Sequence, residues 1–145
     1  MHRYLGADGI VHELEESLRR LGTDYIDMYI THWQDPTTPI DVTMEALQKL
    51  KSQGKIRAIG ASNLCPEDLD AYIEIGGLSC IQERYSMIDR GIESTLLPVT
   101  RPHGISTLSY SPMGMGLLTG KITPDRAFAG EVREAERDLL SVGRH

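Results

Sequence analysis

The spacing of apolar residues along this chain changes period several times. From Ile10 to Leu21 apolar positions (Ile10, Val11, Leu14, Leu18, Leu21) alternate with Glu13, Glu15, Glu16 and Arg19, and Gly22 follows. That is the stripe of an amphipathic helix with a stop signal. Tyr25 to Thr31 is rich in aromatic and β-branched residues and predicts a strand. Met44, Leu47 and Leu50 then mark a second helix, capped by Asp41 or Thr43 and ended by Gly54. Ile56 to Ala61 is nearly all apolar or small, the composition of a strand covered on both faces. Pro66 opens a third helix carrying Leu69, Tyr72 and Ile73, and Gly76-Gly77 closes it. Ser79 to Tyr85 predicts a third strand and Ile105 to Ser109 a fourth. Between them, a helix through Ile92, Leu96 and Leu97 is cut short by Pro98 and Pro102, because proline lacks an amide donor and its ring strikes the preceding turn.

Strand and helix thus alternate with a repeat of roughly 25 to 30 residues, the length of a strand–helix–strand crossover. An α/β protein with a parallel sheet follows. Parallel strands point one way, so their carboxyl ends collect on one face, where sites lie in such folds. Side chains alternate across a strand, which puts Met28, Ile30 and His32 on one side, with Ala58, Gly60 and Ser62, Cys80 and Gln82, and Leu108 and Tyr110. That surface is apolar or small at depth and polar at its mouth, where His32, Ser62, Gln82 and Tyr110 converge with Asn63 beside them.

Such a set has no carboxylate, so it makes a poor hydrolytic dyad and a poor metal cage, and no metal is expected. It suits hydrogen-bonding a planar amide and stacking a flat ring; a nicotinamide is one such ligand. After the last strand, Gly114-Met115-Gly116-Leu117-Leu118-Thr119-Gly120-Lys121 lacks the ending of a P-loop, yet its close glycines can bring backbone amides to a pyrophosphate. Each residue also has a plainer reading. Ser62-Asn63 can be a turn and helix cap before Pro66, and Tyr110 a half-buried strand aromatic. Gln82, an amide in an apolar strand, needs a partner. Trp33 packs at the rim or touches substrate. His103 beside Gly104 suits a helix end and carries no chemistry.

Composition narrows the classes. The 145 residues suit one domain, with 40% apolar and 25% charged residues. Fifteen basic and twenty-one acidic residues give a net charge of −6, which argues against nucleic-acid or anionic-membrane partners. No apolar run approaches the ~18 residues of a membrane span, and the N-terminus lacks a secretory core. Cys65 and Cys80 have no metal or paired spacing and read as free, inert thiols, so the cytoplasm is the default location. Beyond Lys121 the pattern weakens. Glu131 to Leu140 is charged and helix-prone with a thin apolar stripe, so the expected division is a domain over 1–123 and a poorly anchored tail over 124–145.

Four segments resemble successive blocks of the aldo-keto reductases. They are Leu21 to Tyr29 running into Thr31-His32-Trp33, Gly54 to Asn63, Gln82 with Tyr85-Ser86, and Tyr110-Ser111-Pro112-Met113-Gly114 with Gly116 to Lys121. The resemblance runs from about residue 9 to about residue 123. It implies part of a TIM (β/α)8 barrel, from about the third helix to the seventh strand, with strands 1–3 and 8 missing. It also implies NADPH, with NADH as the other option, reducing a small aldehyde or ketone. By resemblance His32 is the catalytic histidine that orients the carbonyl, and Ser62, Asn63 and Gln82 hold the nicotinamide carboxamide. Tyr110 stacks on the ring, and backbone around Ser111, Met113, Gly114 and Gly116 lines the pyrophosphate.

The family's catalytic Asp, Tyr and Lys lie in its first three strands, which have no counterpart here. Hydride transfer needs a proton for the developing alkoxide, and His32 is a weak substitute for a tuned tyrosine. The expectation is therefore a family reductase whose isolated chain is not competent. The alternative is a non-catalytic half-barrel module that binds a partner or itself through its open face and unpaired strand edges.

Overall fold

The computed structural model describes residues 4–122. Eight elements follow in order: α1 (Ala7–Leu21), β1 (Ile26–Thr31), α2 (Ile40–Ser52), β2 (Ile56–Ser62), α3 (Pro66–Ile75), β3 (Leu78–Arg84), α4 (Leu97–Thr100) and β4 (Ser106–Tyr110). The strands form one parallel sheet whose spatial order, β1-β2-β3-β4, is the order of the sequence. Parallel neighbours cannot be joined by a tight turn, so each link crosses over through helical structure. The tail expected over 124–145, with its helix over 131–140, lies outside the described residues.

Local chemistry explains where the elements start and stop, and corrects three details. The apolar stripe of α1 is narrower than its composition suggests. Ile10, Leu14 and Leu18, four residues apart, are buried, whereas Val11 is 40% and Leu21 67% exposed. One residue along a helix turns a side chain by about 100°, which carries Val11 off the spine that Ile10 begins. Gly22 ends the helix at φ 66°, a left-handed conformation that costs glycine little, and its amide donates to Leu18 O at 2.9 Å.

In α2 the N-cap position falls to Pro39 rather than to Asp41 or Thr43, although Asp41, inside the first turn, accepts the Val42 amide at 2.8 Å. Thr43 is buried and its hydroxyl donates to Leu5 O at 3.1 Å, so a distant partner has claimed the group that could have capped. The fourth helix is broken into a 3-10 turn at Gly91–Glu93, the one-turn α4, and another 3-10 turn at Arg101–His103. Pro98 and Pro102 each sit in the first turn of their piece, where a missing amide leaves no bond unmade.

The core lies between the sheet and its helices. Leu14, Met44, Leu47, Leu69 and Tyr72 from the helices meet Ile59, Ala61 and Ile81 from β2 and β3, all 0% exposed. Burial of each large side chain here contributes about 1.5–3 kcal/mol. The opposite face of the sheet differs. Register aligns Ile30, Gly60, Cys80 and Ser106 in one row and Ser62, Gln82 and Leu108 in the next. Gly60 is required there: a Cβ would lie 2.7 Å from Cys80 Sγ and 2.9 Å from Ile30 Cγ1. Met28 and Ile30 are only half-buried on this inner face, and Leu108 is 42% exposed.

Candidate active site

The register that builds the inner face also brings four strand ends together, and Asn63 ties them. Asn63 sits one residue past β2 at φ 57°, a left-handed conformation that asparagine tolerates better than most residues. Its amide donates to Gln82 O at 3.2 Å. Its side-chain Nδ2 donates to His32 O at 2.9 Å and to Ser62 Oγ at 3.1 Å, and its Oδ1 accepts the Tyr110 hydroxyl at 2.8 Å. The carboxamide thus joins the ends of β1, β2 and β4, and the Asn63 backbone amide adds β3. Because Nδ2 faces a carbonyl, which can only accept, the network itself fixes which way the amide points. Asn63 does not cap α3: the N-cap is Cys65, with no side-chain cap bond.

Ser62 is 1% exposed, and its hydroxyl donates to Gln82 O at 2.6 Å. The partner that the sequence calls for at the Gln82 amide is supplied by no described residue, and the carboxamide stands half-buried on the inner side. His32 is exposed, with its ring edge-on to Trp33 at a centroid distance of 6.2 Å. Trp33, 40% exposed, also helps line a cavity of about 580 Å³ with Gln34, the 35–40 loop, Asn63, Cys65 and Asp68.

After β4 the backbone enters a run of positive φ: Ser111 at 52°, Gly114 at 55°, Met115 at 56° and Gly116 at 99°. Gly114 is buried, and a Cβ there would come 2.7 Å from Ile88 Cδ1. The Gly114 amide donates to Ser111 O at 2.9 Å and the Gly116 amide to Met113 O at 3.1 Å. Two amides that the sequence offered to a bound anion are therefore engaged inside the turn. Met113 is 50% exposed.

Two buried carboxylates support the mouth, and the sequence reading assigned a role to neither. Asp35, 4% exposed, holds the loop after β1. Its Oδ1 accepts the Thr37 amide at 2.8 Å and the Thr37 hydroxyl at 2.6 Å, and its Oδ2 accepts the Thr38 hydroxyl at 2.6 Å and the Leu5 amide at 3.0 Å. These donors, the Thr37 hydroxyl foremost, hold its pKa well below the ordinary carboxylate range. Glu83, 6% exposed, accepts the Leu64 amide at 2.8 Å. Burial pushes its pKa up, and the Leu64 and Asn63 amides pull it partly back. Behind the loop, Tyr72 OH donates to Gln34 Oε1 at 2.7 Å, while Gln34 Nε2 is buried without a hydrogen-bond partner. Burial also raises the Tyr110 pKa, with the Glu83 charge adding to the effect.

Among the described residues no three His, Cys, Asp or Glu side chains gather as a metal site, and both cysteines are free thiols. No helix among them is long and apolar enough to cross a membrane.

Parallel strands alternating with helices, with polar residues gathered at their carboxyl ends, are the arrangement of part of a (β/α)8 barrel. The model of the aldo/keto reductase family matches residues 1–141, and the chain belongs to that family, whose members are NAD(P)H-dependent oxidoreductases. It is 48% identical to the NADH-specific methylglyoxal reductase of Escherichia coli K12, over 98% of this chain and 46% of the relative. It is 43% identical to aldo-keto reductase YhdN of Bacillus subtilis 168, over 90% of this chain and 40% of the relative. Among solved structures, the glycerol dehydrogenase AKR11B4 of Gluconobacter oxydans superposes with a TM-score of 0.84 at 36% identity, covering 94% of this chain and 45% of that one. An aldo/keto reductase of Klebsiella pneumoniae in complex with NADP and acetate gives 0.73 at 38% identity, covering 77% and 40%. The chain spans less than half the length of these relatives, and its fold is a partial barrel.

Proposed function

We propose that this chain supplies the nicotinamide-holding side of an NAD(P)H-dependent site that reduces small aldehydes or ketones. The observation that supports it best is the hydrogen-bonding capacity left around Asn63. Both Nδ2 hydrogens of Asn63 are engaged, but its Oδ1 keeps one lone pair beyond the Tyr110 bond. Ser62 Oγ gives its only hydrogen to Gln82 O and keeps one lone pair beyond the Asn63 bond. The Gln82 carboxamide keeps two donors and its oxygen. A primary carboxamide complements that set, its NH2 donating to Asn63 and Ser62 and its oxygen accepting from Gln82. Nicotinamide carries this group on a flat ring, for which Tyr110 offers a stacking face.

When bound, the reduced cofactor supplies hydride. His32 would hold the substrate carbonyl oxygen, with Trp33 beside it at the rim. The turn from Ser111 through Met113 to Gly116 lies beside the ring site and is the place for the pyrophosphate. Its least-held donor is the Ser111 hydroxyl, now 3.7 Å from the Met115 sulfur, a weak acceptor. A proton for the developing alkoxide must come from a tuned acid that the matched strands do not carry, so we expect cofactor binding from this chain without turnover. The Escherichia coli relative's name makes methylglyoxal the first substrate to try once the remaining barrel strands are supplied.

Fluorescence titration of the chain with NADH and NADPH tests the reading. Binding of at least one is expected, weakened about tenfold by Gln82→Ala. If neither cofactor binds, or if Gln82→Ala binds as the parent does, the reading falls.

A second reading has its own support. The inner face leaves Leu108 42% exposed and Met28 and Ile30 half-buried, and β1 and β4 form the two edges of the sheet among the described residues. That surface suits self-association. A clean monomer by light scattering would exclude it.

A further inference from the structure

We propose that Glu83 is a positioning residue for the nicotinamide site, acting through Asn63; this rests on the function proposed above. Alternation along β3 turns Gln82 toward the inner face and Glu83 toward the helices, where Ile81 and Ala61 are 0% exposed. A carboxylate in such a layer loses hydration and needs strong donors in exchange. Among the described residues no ion pair includes it, so none of its compensation comes from a cation. It comes from the turn after β2, where the Leu64 amide donates to Glu83 Oε1 at 2.8 Å and the Asn63 amide adds to the stabilisation of the charge.

The turn is thus pinned at consecutive residues. Gln82 O takes the Asn63 amide at 3.2 Å, and the neighbouring Glu83 side chain takes the Leu64 amide. Between these pins the backbone holds φ 57° at Asn63, a conformation few side chains adopt. That backbone setting projects the carboxamide over the strand ends, where it bonds His32 O, Ser62 Oγ and Tyr110 OH. Without the carboxylate the Leu64 amide is a buried donor lacking an acceptor, and the turn relaxes to recover one. Glu83 does not touch the cofactor. It sets the direction of Asn63, which meets the cofactor's carboxamide.

The test pairs a cofactor-independent reading with a cofactor-dependent one. In nuclear magnetic resonance of the full chain, the Asn63 side-chain NH2 protons should exchange slowly with solvent in the parent. They should exchange fast in Glu83→Ala while the β2 and β3 backbone amides stay protected. An unchanged Asn63 NH2 in that variant overturns the proposal whether or not any cofactor binds. NADH titration then asks for coupling. Glu83→Ala should weaken binding about tenfold in the parent and less than about twofold in an Asn63→Ala background. Equal losses in both backgrounds also overturn it, since a general structural defect adds regardless of Asn63. Glu83→Gln keeps an acceptor for the Leu64 amide and should restore most of the affinity and the slow exchange; it also serves if Glu83→Ala does not fold. If the parent shows the slow Asn63 NH2 but binds neither NADH nor NADPH, the cofactor reading fails while the variants still judge the link between Glu83 and Asn63.

Discussion

The two faces of the sheet follow different rules. Toward the helices, Ile59, Ala61 and Ile81 are sealed at 0% exposure against Leu14, Met44, Leu47, Leu69 and Tyr72. Toward the inner side, side chains are small (Ala58, Gly60), half-buried (Met28, Ile30) or open (Leu108), and they become polar as the strands end. Folding free energy is concentrated on the first face and chemistry on the second. A residue's value to stability and its value to the site should therefore separate by strand parity, because adjacent residues point to opposite faces.

The largest effect should come from the sealed face. Leu47→Ala is expected to cost about 2–5 kcal/mol, the usual range for emptying a packed leucine site. Leu108→Ala on the open face should stay within about 0.5 kcal/mol. Urea unfolding of the two variants decides, and similar losses would erase the contrast between the faces. Next come the two buried carboxylates, whose pH dependences should have opposite signs. Asp35 has a depressed pKa, so its contribution to stability is complete above the ordinary aspartate value of about 3.9 and is lost as pH falls below it. Asp35→Asn should flatten that acid-side slope. Glu83 has a raised pKa, so it costs stability as pH climbs from about 4.3, the ordinary glutamate value, through its higher folded value. Glu83→Gln should remove that decline. Urea midpoints followed across pH 2–8, on the order of those reference values, would show both slopes. A modest change is expected for Tyr110→Phe, which deletes the hydroxyl bonded to Asn63 and should cost about 1 kcal/mol or less while leaving the ring face intact. A cost well above that in thermal melts would mean that Tyr110 belongs to the sealed side of the comparison.

Much of this arrangement is legible in the sequence. Period changes locate the four strands to within a residue or so, because β-branched runs and glycine stops act locally. Alternation then places Gln82 inward and Glu83 outward before any coordinates. It cannot show that Ser62 aligns with Gln82 or that Asn63 takes a left-handed turn, and together these make Asn63 a hub rather than a helix cap. The role of Glu83 is hidden for the same reason: its partner is a backbone amide nineteen positions away, and amides carry no sequence signature. Asp35 is a different case. Asp-Pro-Thr-Thr is a local turn signature with the donors two and three residues on, readable without a sheet. The engaged amides of Gly114 and Gly116 show the limit of counting glycines: closeness permits an anion cradle, but the same bends can satisfy their own donors.

The strictly sequential strand order has a kinetic corollary. Each strand docks on the one laid down about 20 to 30 positions before it, so no assembly step in this segment must close a ring longer than a single crossover. The entropic toll of ring closure grows only slowly with length, and local connectivity of this kind favours rapid growth by accretion. Such a segment can be lengthened at either border without undoing what has already formed, as a wall is extended brick by brick.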